Sequence, residues 1–362
     1  MDPAKAQSLT FSVEKVLAWS LVLAVALVLL IFGAVFLIPL TIAIFLWSLL
    51  SALAKILGRF RLGGRGLPTW ATQTLAIIIV LGANVAVYDL VAGQAGALQA
   101  AAPVYQENFS QIASRAVETL GLEELPTTGL LLDMLDIGSV LSWLGSSVGS
   151  GITNLVLIFI YVGFLLAEQH QIPLKLSRLR PDEADAARIR ALAVDVSLQV
   201  QRYIWMKTAV SLLTGMVSYV ILRLIGVDFA AIWALSIFFL NFIPNIGSML
   251  GVLLPALLTL VQFDNYTPFL MVTIGLGATQ FVIGNVIEPA YMGRSLNLSS
   301  FMIVLSLTFW GLLWGIPGMF LSVPIMVVFA IVCSHFDELR WIAVLLSTDG
   351  QIMASPSRDS KD

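Results

Sequence analysis

The chain has 362 residues, of which 59% are hydrophobic and 11% charged, and its mean hydropathy is +0.94. These values exclude an ordinary soluble domain and predict an all-α, polytopic membrane protein, because the apolar residues occur in runs long enough to cross a bilayer. The net charge of -3 gives no basic surface for a nucleic-acid partner.

The first long apolar run covers residues 17–50 and contains no charged side chain. As one helix it would extend about 51 Å, whereas the hydrocarbon layer is about 30 Å thick, so we expect two shorter legs. Gly33 and Pro39 place the turn between them. The Lys and Arg residues of the following loop, 55–65, put both ends of this run in the cytoplasm by the positive-inside rule.

Later charges divide the chain into segments on alternating sides of the membrane. Residues 69–90 form an outward span, and the acidic stretch after it has the spacing of short amphipathic helices. The predicted division is a cytoplasmic N-terminus (1–16), a helical hairpin plus a transmembrane helix (17–92), an extracytoplasmic helical segment (93–150), a transmembrane helix (151–168), a cytoplasmic amphipathic helix (169–207), a transmembrane core (208–336) with hairpins at 229–262 and 301–336, and a cytoplasmic tail (337–362). Both termini are then cytoplasmic, with all but two of the 19 Lys and Arg residues, Arg115 and Arg223.

The central run, residues 230–262, is interrupted by the polar sequence NFIPNIGS at 241–248. Pro244 cannot continue a helix without loss of a backbone hydrogen bond, and asparagine and serine are unfavourable against lipid tails. Non-helical backbone at bilayer depth is tolerated only where it is buried in protein or lines a wet cavity, as at the substrate sites of transporters. The sequence therefore predicts a helical hairpin whose tip handles solute.

Three long runs share an Ile-Pro pair near their centres, at Pro39, Pro244 and Pro317. Each run returns to its side of origin, so charge bias leaves open whether its legs cross the bilayer or only dip into it. Legs of about 25 Å favour re-entrant hairpins for some of them. A hairpin followed by a span occurs at 17–90 and again, in opposite orientation, at 229–287. This order predicts an inverted repeat, on which many secondary transporters base alternating access.

The sequence FIPNIGS at 242–248, followed by Gly251 and the Pro255-Ala256 pair, resembles the signature of the autoinducer-2 exporter family of bacterial membrane proteins. Later blocks resemble the same signature: GNVIEP (284–289), MGR (292–294), FWG (309–311), GIPG (315–318) and VP (323–324). Ser248 stands where many relatives have proline. The resemblance implies a homo-oligomeric transporter, a pentamer, in the bacterial inner membrane with a moving hairpin domain. Some members of the family export the furanone-derived signal autoinducer-2, and others exchange sodium and protons.

Two groups of residues are candidates for function. The residues expected to bind or gate the substrate are Asn241, Pro244, Asn245, Gly247, Ser248, Gln280 and Asn285. The residues expected to act as hinges or in helix packing are Gly251, Pro255, Pro317 and Gly318. The amide and hydroxyl groups suit a small polyol or a partly dehydrated cation, and capping of the two half-helices is their alternative role.

Glu288 is the only carboxylate near the end of the inward span. An ionisable group at membrane depth is a candidate for coupling transport to a proton or a sodium ion, and an interfacial ion pair with Arg294 is the alternative. The single cysteine and the two histidines stand apart in sequence, so neither a metal site nor a cofactor is expected. The sequence contains no P-loop, HExxH motif or nucleophile elbow, so no enzyme is predicted.

These features together predict a secondary transporter that exports a small polar solute, such as autoinducer-2, by alternating access with an elevator-like movement of the hairpin domain. Its expected partners are a small molecule or ion and the lipid bilayer. A sodium/proton antiporter of the same family is the alternative. A passive channel or membrane scaffold is a different class; a channel would carry a continuous polar stripe along several spans, whereas here the polar residues concentrate at the hairpin breaks.

Overall fold

The computed structural model describes residues 13–59, 61–62, 65–120, 155–169, 171, 175, 183–292 and 297–350. The helices in these ranges are α1 (Val13–Phe32), α2 (Ala34–Leu57), α3 (Thr69–Leu120), α4 (Leu155–Glu168), α5 (Glu183–Ile225), α6 (Ala230–Leu240), α7 (Ile246–Gln262), α8 (Thr267–Val282), α9 (Glu288–Met292), α10 (Ser300–His335) and α11 (Arg340–Leu346). A π-helix, Ile283–Ile287, joins α8 to α9, and a short 3-10 helix, Asp337–Leu339, precedes α11. Strands β1 (Arg61–Leu62) and β2 (Arg65–Gly66) pair antiparallel after α2.

Five of the described helices are long and apolar enough to cross a membrane. They are Ala34–Leu57, Thr69–Gln94 within α3, Ile189–Ile225 within α5, Thr267–Tyr291 and Ser300–His335. The prediction of an all-α, polytopic membrane protein is confirmed. The predicted N-terminus, the extracytoplasmic segment and the cytoplasmic tail lie partly outside the described residues, and Arg294 lies outside them entirely.

Two helices run on through predicted segment boundaries. Helix α3 continues past residue 92 to Leu120, a length of about 78 Å, because the sequence around residues 95–102 is rich in alanine, the strongest helix former. Helix α5 joins the predicted cytoplasmic helix to the following span, since neither proline nor glycine interrupts the chain near residue 207. Helix α5 is also the centre of the fold, because it contacts α2, α6, α8, α9 and α10.

The first apolar run bends at Gly33, between α1 and α2. Gly33 keeps φ -79° and ψ -1°, close to helical values. Its N–H bonds the Leu29 carbonyl at 2.8 Å, and its carbonyl accepts the Leu37 N–H at 2.8 Å. A chain that keeps near-helical angles throughout bends but does not reverse direction, so the structure has a bend where we expected a turn between two legs. Pro39 lies inside α2.

Helices α6 and α7 form a helical hairpin, hairpin A, whose tip is residues 241–245. The legs are antiparallel and close together: a Cβ on Gly251 would lie 3.3 Å from Ile237 Cγ1. The tightest approach is at Gly247, where a Cβ would overlap the Leu240 carbonyl. Glycine at this position is therefore what allows the second leg to start directly beside the end of the first.

Helix α10 is a second hairpin, hairpin B, that folds back at Gly315. Gly315 has φ 64° and ψ -142°, a conformation that favours glycine. The two legs, 300–314 and 316–335, are antiparallel, and Ser306 Oγ donates to the Ser322 carbonyl at 3.1 Å. A Cβ on Gly318 would overlap the Trp310 carbonyl. Both hairpins thus close by the same device, a glycine packed on a carbonyl of the first leg.

Three apolar clusters hold the helices together. One joins α2, α3 and α4 and includes Ala43, Leu50, Ala76, Val80, Ile158 and Val162. A second joins α5, hairpin A and α8 and includes Leu222, Ile237, Ala256, Val272 and Leu276. A third joins α5 to hairpin B and α11 and includes Ile204, Val327, Ile331 and Leu346. The described chain therefore comprises a three-helix group, α2–α4, and a hairpin group organised around α5.

Candidate functional site

The tips of hairpins A and B meet inside the protein. The ring of Phe242, in hairpin A, stacks on the ring of Phe320, in hairpin B, with centroids 4.5 Å apart and an interplanar angle of 29°. Phe45 of α2 contacts both rings, with centroid distances of 6.4 Å and 5.7 Å. Each aromatic pair contributes about 0.5–1.5 kcal/mol beyond its buried area. These three rings, the tip cluster, fix the hairpins to each other and to α2.

Asn241 places a polar side chain next to the tip cluster. Its Nδ2 donates to Ser211 Oγ of α5 at 3.0 Å, and the two residues are 5% and 0% exposed. A buried polar group without a partner costs about 1–3 kcal/mol, so this bond holds the tip of hairpin A on α5. The site therefore offers an amide and a hydroxyl beside three aromatic rings.

Pro244 and Asn245 lie farther out on the same tip. Asn245 is exposed, with φ 59° and ψ -57°, and positive φ is tolerated better by asparagine than by most residues. Its side chain makes no capping hydrogen bond to α7. Pro244 is half-buried, and its carbonyl accepts the Ile246 N–H at 2.6 Å. The structure thus separates the two tip asparagines, one inside the protein and one at its surface.

The first turns of α7 are packed against their neighbours. Gly247 and Gly251 are buried, and Ser248 is half-buried. A Cβ on Gly251 would lie 3.3 Å from Gln280 Nε2. Pro255 is fully buried inside α7. These surroundings are those of helix-packing positions.

The structure brings one of the two predicted inward-span amides to hairpin A. Gln280 of α8 is buried and lies beside Gly251. Asn285 is exposed in the π-helix, and its Nδ2 donates to the Phe281 carbonyl at 3.0 Å. Because Gln280 is buried and Asn285 is exposed, the two amides face different surroundings.

Glu288 follows the π-helix and pairs with Lys207 of α5. Lys207 Nζ donates to Glu288 Oε1 at 2.6 Å, and the two side chains are 7% and 21% exposed. Residues four apart on a helix are neighbours, so Lys207 lies one turn from Ser211. The ion pair is therefore next to the hydrogen bond that holds Asn241.

Hairpin B is anchored near its tip by a tryptophan. Trp314 Nε1 donates to the Leu30 carbonyl of α1 at 3.0 Å, close to the bend at Gly33. Pro317 is half-buried, and Gly318 is buried against the first leg. The break in hairpin B and the bend in the first apolar run thus lie side by side.

The open end of hairpin A is tied to the extension of α3. Tyr105 OH donates to Asp228 Oδ2 at 2.7 Å, and Asn108 Nδ2 donates to the Val261 carbonyl at 2.8 Å. Burial, together with the hydrogen bond to Asp228, raises the pKa of Tyr105 above its ordinary value. The phenol therefore keeps its proton, and with it the bond, throughout the neutral range.

Sequence reasoning missed Lys207, Ser211, Phe45 and Phe320. A signal existed for the first two, because polar residues recur every four positions at Tyr203, Lys207 and Ser211 and so share one face of α5. Phe45 and Phe320 had no such signal. Their role depends on contacts between segments that are distant in sequence, and the local pattern of apolar and polar residues does not predict such contacts.

The chemistry of the site is that of hydrogen bonding and single charges. Amide and hydroxyl groups can donate and accept hydrogen bonds with a polar, uncharged solute, and a carboxylate can accept hydrogen bonds from an ammonium. Within the part of the chain that the structure describes, no three His, Cys, Asp or Glu side chains lie close enough together to hold a metal ion.

The fold and the site define a polytopic helical membrane protein with a polar site where two broken-helix hairpins meet, an arrangement used by secondary transporters. The model of the family described as AI-2E family transporter matches residues 19–337. The chain therefore belongs to the AI-2E family, as the resemblance in its sequence predicted, and it is a membrane transporter.

Several proteins that are similar to this chain are named as transport proteins. AI-2 transport protein TqsA of Escherichia coli K12 is 31% identical over 322 residues, which are 87% of this chain and 90% of that protein. A protein of Haemophilus influenzae, named only as a candidate transport protein, is 29% identical over 320 residues, 85% of this chain and 89% of its own length. A protein of Borreliella burgdorferi with the same kind of name is 35% identical over 212 residues, 58% of each chain.

Proposed function

We propose that the protein exports a small polar solute by alternating access, in which hairpin A and α8 make an elevator-like movement against α2, α3 and α4. The observation that carries this proposal is the stack of Phe242 on Phe320 beside the buried bond between Asn241 and Ser211. Three rings between the tips form an apolar barrier, and the neighbouring amide and hydroxyl form a polar binding site. Alternating access requires such a barrier next to such a site.

The proposed orientation is that of the bacterial inner membrane with both termini in the cytoplasm. Hairpin A then opens to the outside and hairpin B to the cytoplasm. Ser211 lies about 21 Å along α5 from the helix end at Ile225, and the hydrocarbon layer is about 30 Å thick. In this orientation Asn241, which bonds Ser211, lies well inside the bilayer.

Autoinducer-2 is the proposed cargo. The relative TqsA, which matches 87% of this chain, is named as an AI-2 transport protein. A small polyol of this kind would exchange hydrogen bonds with Asn241 and Ser211 while its ring lay against the phenylalanine rings. Binding sites for small molecules commonly combine an apolar lining with a few placed polar groups.

Efflux of autoinducer-2 from proteoliposomes tests the proposal. The wild-type protein should release the solute faster than protein-free vesicles do. Asn241→Leu, Pro244→Ala and Asn245→Leu should lose efflux and still insert into the membrane. Asn84→Leu is the matched control, because the Asn84 amide donates to Val80 within its own helix. Normal efflux in the three tip variants would remove hairpin A from the transport site.

A sodium/proton antiporter is the second candidate, and the largely shielded pair of Lys207 and Glu288, with side chains 7% and 21% exposed, is the observation that favours it. Ionisable groups at membrane depth are costly and usually serve ion or proton movement. Sodium-dependent collapse of an imposed pH gradient in proteoliposomes would support the antiporter. Efflux of autoinducer-2 with no sodium-dependent collapse of the pH gradient would support the exporter. Glu288→Gln should flatten the pH dependence of flux, and an unchanged profile would assign Glu288 to structure.

We also propose that the chain forms a homo-oligomer, a pentamer. Helix α1 supports an assembly because its apolar side chains are exposed on the single chain, Leu21 by 67% and Phe32 by 80%. Such a surface must be covered by lipid or by a neighbouring subunit. Native mass spectrometry of the protein released from lipid nanodiscs measures the number of subunits, and a monomer would contradict the proposal.

A further inference from the structure

The ion pair between Lys207 and Glu288, whose side chains are 7% and 21% exposed, is poorly explained by stability. Removing two charges from water often costs more than their attraction returns, so apolar replacements for buried pairs are frequently neutral or stabilising. The pair lies within two helices that are long and apolar enough to span the membrane, and in the proposed orientation Lys207, about 27 Å along α5 from Ile225, is near the cytoplasmic edge of the hydrocarbon layer. It also lies one turn from the Asn241 partner Ser211. A functional explanation is therefore needed.

The π-helix sets the direction in which Glu288 points. The Glu288 N–H bonds the Ile283 carbonyl, five residues earlier, whereas an α-helix uses four. One inserted residue rotates every later side chain by about 100° around the helix. The insertion therefore decides that the carboxylate faces Lys207 on α5. Insertions of this kind occur frequently at functional sites.

We propose that the Glu288 carboxylate is a binding site for a monovalent cation, a proton or sodium, which Lys207 occupies as a built-in counter-ion in this conformation. The inference rests on the proposed function, for which it supplies the coupling site. An ammonium is a compact point charge and neutralises a carboxylate as sodium or a proton does. When α9 separates from α5, the carboxylate takes a cation from the solvent, and the return of Lys207 releases that cation.

Among the described residues, only Lys207 provides a positive charge close to the Glu288 carboxylate. Lys207 is the one cationic group within salt-bridge distance of Glu288 among the described residues. The titratable groups that face the carboxylate from α5, the neighbouring helix, are Lys207 and the buried Tyr203. Tyr203 is neutral and cannot replace a positive charge. Loss of Lys207 therefore leaves an unpaired carboxylate that is only 21% exposed and is costly to keep charged there.

Thermal unfolding of the purified full-length protein tests the proposal. Lys207→Met removes the ammonium but keeps an unbranched side chain. We expect its unfolding midpoint to rise in NaCl over choline chloride of equal ionic strength if sodium is the ligand, or to rise as the pH falls in choline chloride if the proton is. A ligand at about 100 times its dissociation constant stabilises the folded state about 100-fold. The double variant Lys207→Met/Glu288→Gln lacks the carboxylate and should show neither rise.

Equal responses of the single and double variants to sodium and to pH would overturn the proposal. The measurement detects binding without flux, so a failure of solute export in vesicles would count against the proposed function and leave this result unchanged. If Lys207→Met does not fold, Lys207→Gln in membrane vesicles allows a second measurement, carbodiimide labelling of Glu288 followed by mass spectrometry. Sodium chloride should slow the labelling relative to choline chloride at the same pH if sodium is the ligand, and if the proton is the ligand the pH dependence of labelling should differ from that of the exposed Glu107. A rate that sodium does not change, with the same pH dependence as Glu107, would contradict the proposal.

Discussion

Phe242 and Phe320 stack with their ring centroids 4.5 Å apart, although they belong to hairpins from different parts of the chain. The contact means that neither tip can move away without separating the rings. Because Phe45 touches both, the three-helix group also takes part in this contact. The two hairpins and α2 are therefore held together at one small aromatic cluster.

Phe320→Ala should open this barrier. Removal of a packed phenylalanine costs about 3–5 kcal/mol where the site cannot collapse, so we expect a lower unfolding midpoint and a passive leak of solute down its own concentration gradient, with no requirement for an ion gradient. Vesicle leak assays measure this directly. Phe301→Ala is the control, since Phe301 on the same hairpin is 69% exposed. If vesicles containing the Phe320→Ala variant do not leak solute, the barrier lies elsewhere.

Gly247→Ala should disrupt hairpin A. The added methyl would overlap the Leu240 carbonyl, which is backbone and cannot move aside as a side chain can, and overpacking of this kind costs about 1–3 kcal/mol. The expected result is a reduced unfolding midpoint with impaired transport. Gly277→Ala provides the comparison, because a Cβ there would meet nothing within 4 Å. Equal unfolding midpoints for the two variants would contradict the close packing of Gly247 against the Leu240 carbonyl.

Ser211→Ala should destabilise the protein, because Asn241 Nδ2 loses its buried acceptor. The expected cost is about 1–3 kcal/mol. Ser218→Ala, on the same helix, is the matched control: Ser218 is equally buried, and its Oγ has no hydrogen-bond partner in the described structure. Removing that hydroxyl should be neutral or slightly stabilising. Chemical or thermal unfolding of both variants measures the difference, and similar losses would argue against the bond.

Tyr105→Phe should reduce the loss of stability at alkaline pH. The unfolded phenol ionises near pH 10, whereas burial and Asp228 raise the pKa of Tyr105 in the folded protein. The contribution of this group is therefore complete below about pH 10 and is lost as the pH rises above it. Unfolding midpoints between about pH 8 and 11 should fall more steeply for wild type than for the variant. Tyr88→Phe, at an exposed position, should follow wild type.

The sequence was informative where the physical cause is local. Pro244 and Gly315 mark breaks in helices because of their own backbone chemistry, and the structure has hairpins at both places. The composition of the long apolar runs likewise predicted spanning helices without any knowledge of their neighbours. The inverted repeat and the depth of each hairpin stay predictions.

The remainder depended on contacts between distant segments. Gly33 and Pro39 suggested a turn, but the helix tolerates both, and the chain only bends there. Glu288 was recognised as an ionisable group, yet its partner Lys207 could not be assigned, because the π-helix that orients the carboxylate has no marker in the sequence. Gln280 and Asn285 were grouped by chemistry and are separated by helix geometry.

Helix α3 extends from the three-helix group to the open end of hairpin A. There, Tyr105 and Asn108 of α3 donate hydrogen bonds to the ends of the hairpin. In the proposed orientation this extension lies outside the lipid, so a macromolecule bound to it would restrain the hairpin. An antibody fragment that binds the exposed part of this α3 extension should therefore inhibit the proposed transport from outside the helix bundle. Such a fragment could also be used to stabilise a single conformation of the protein.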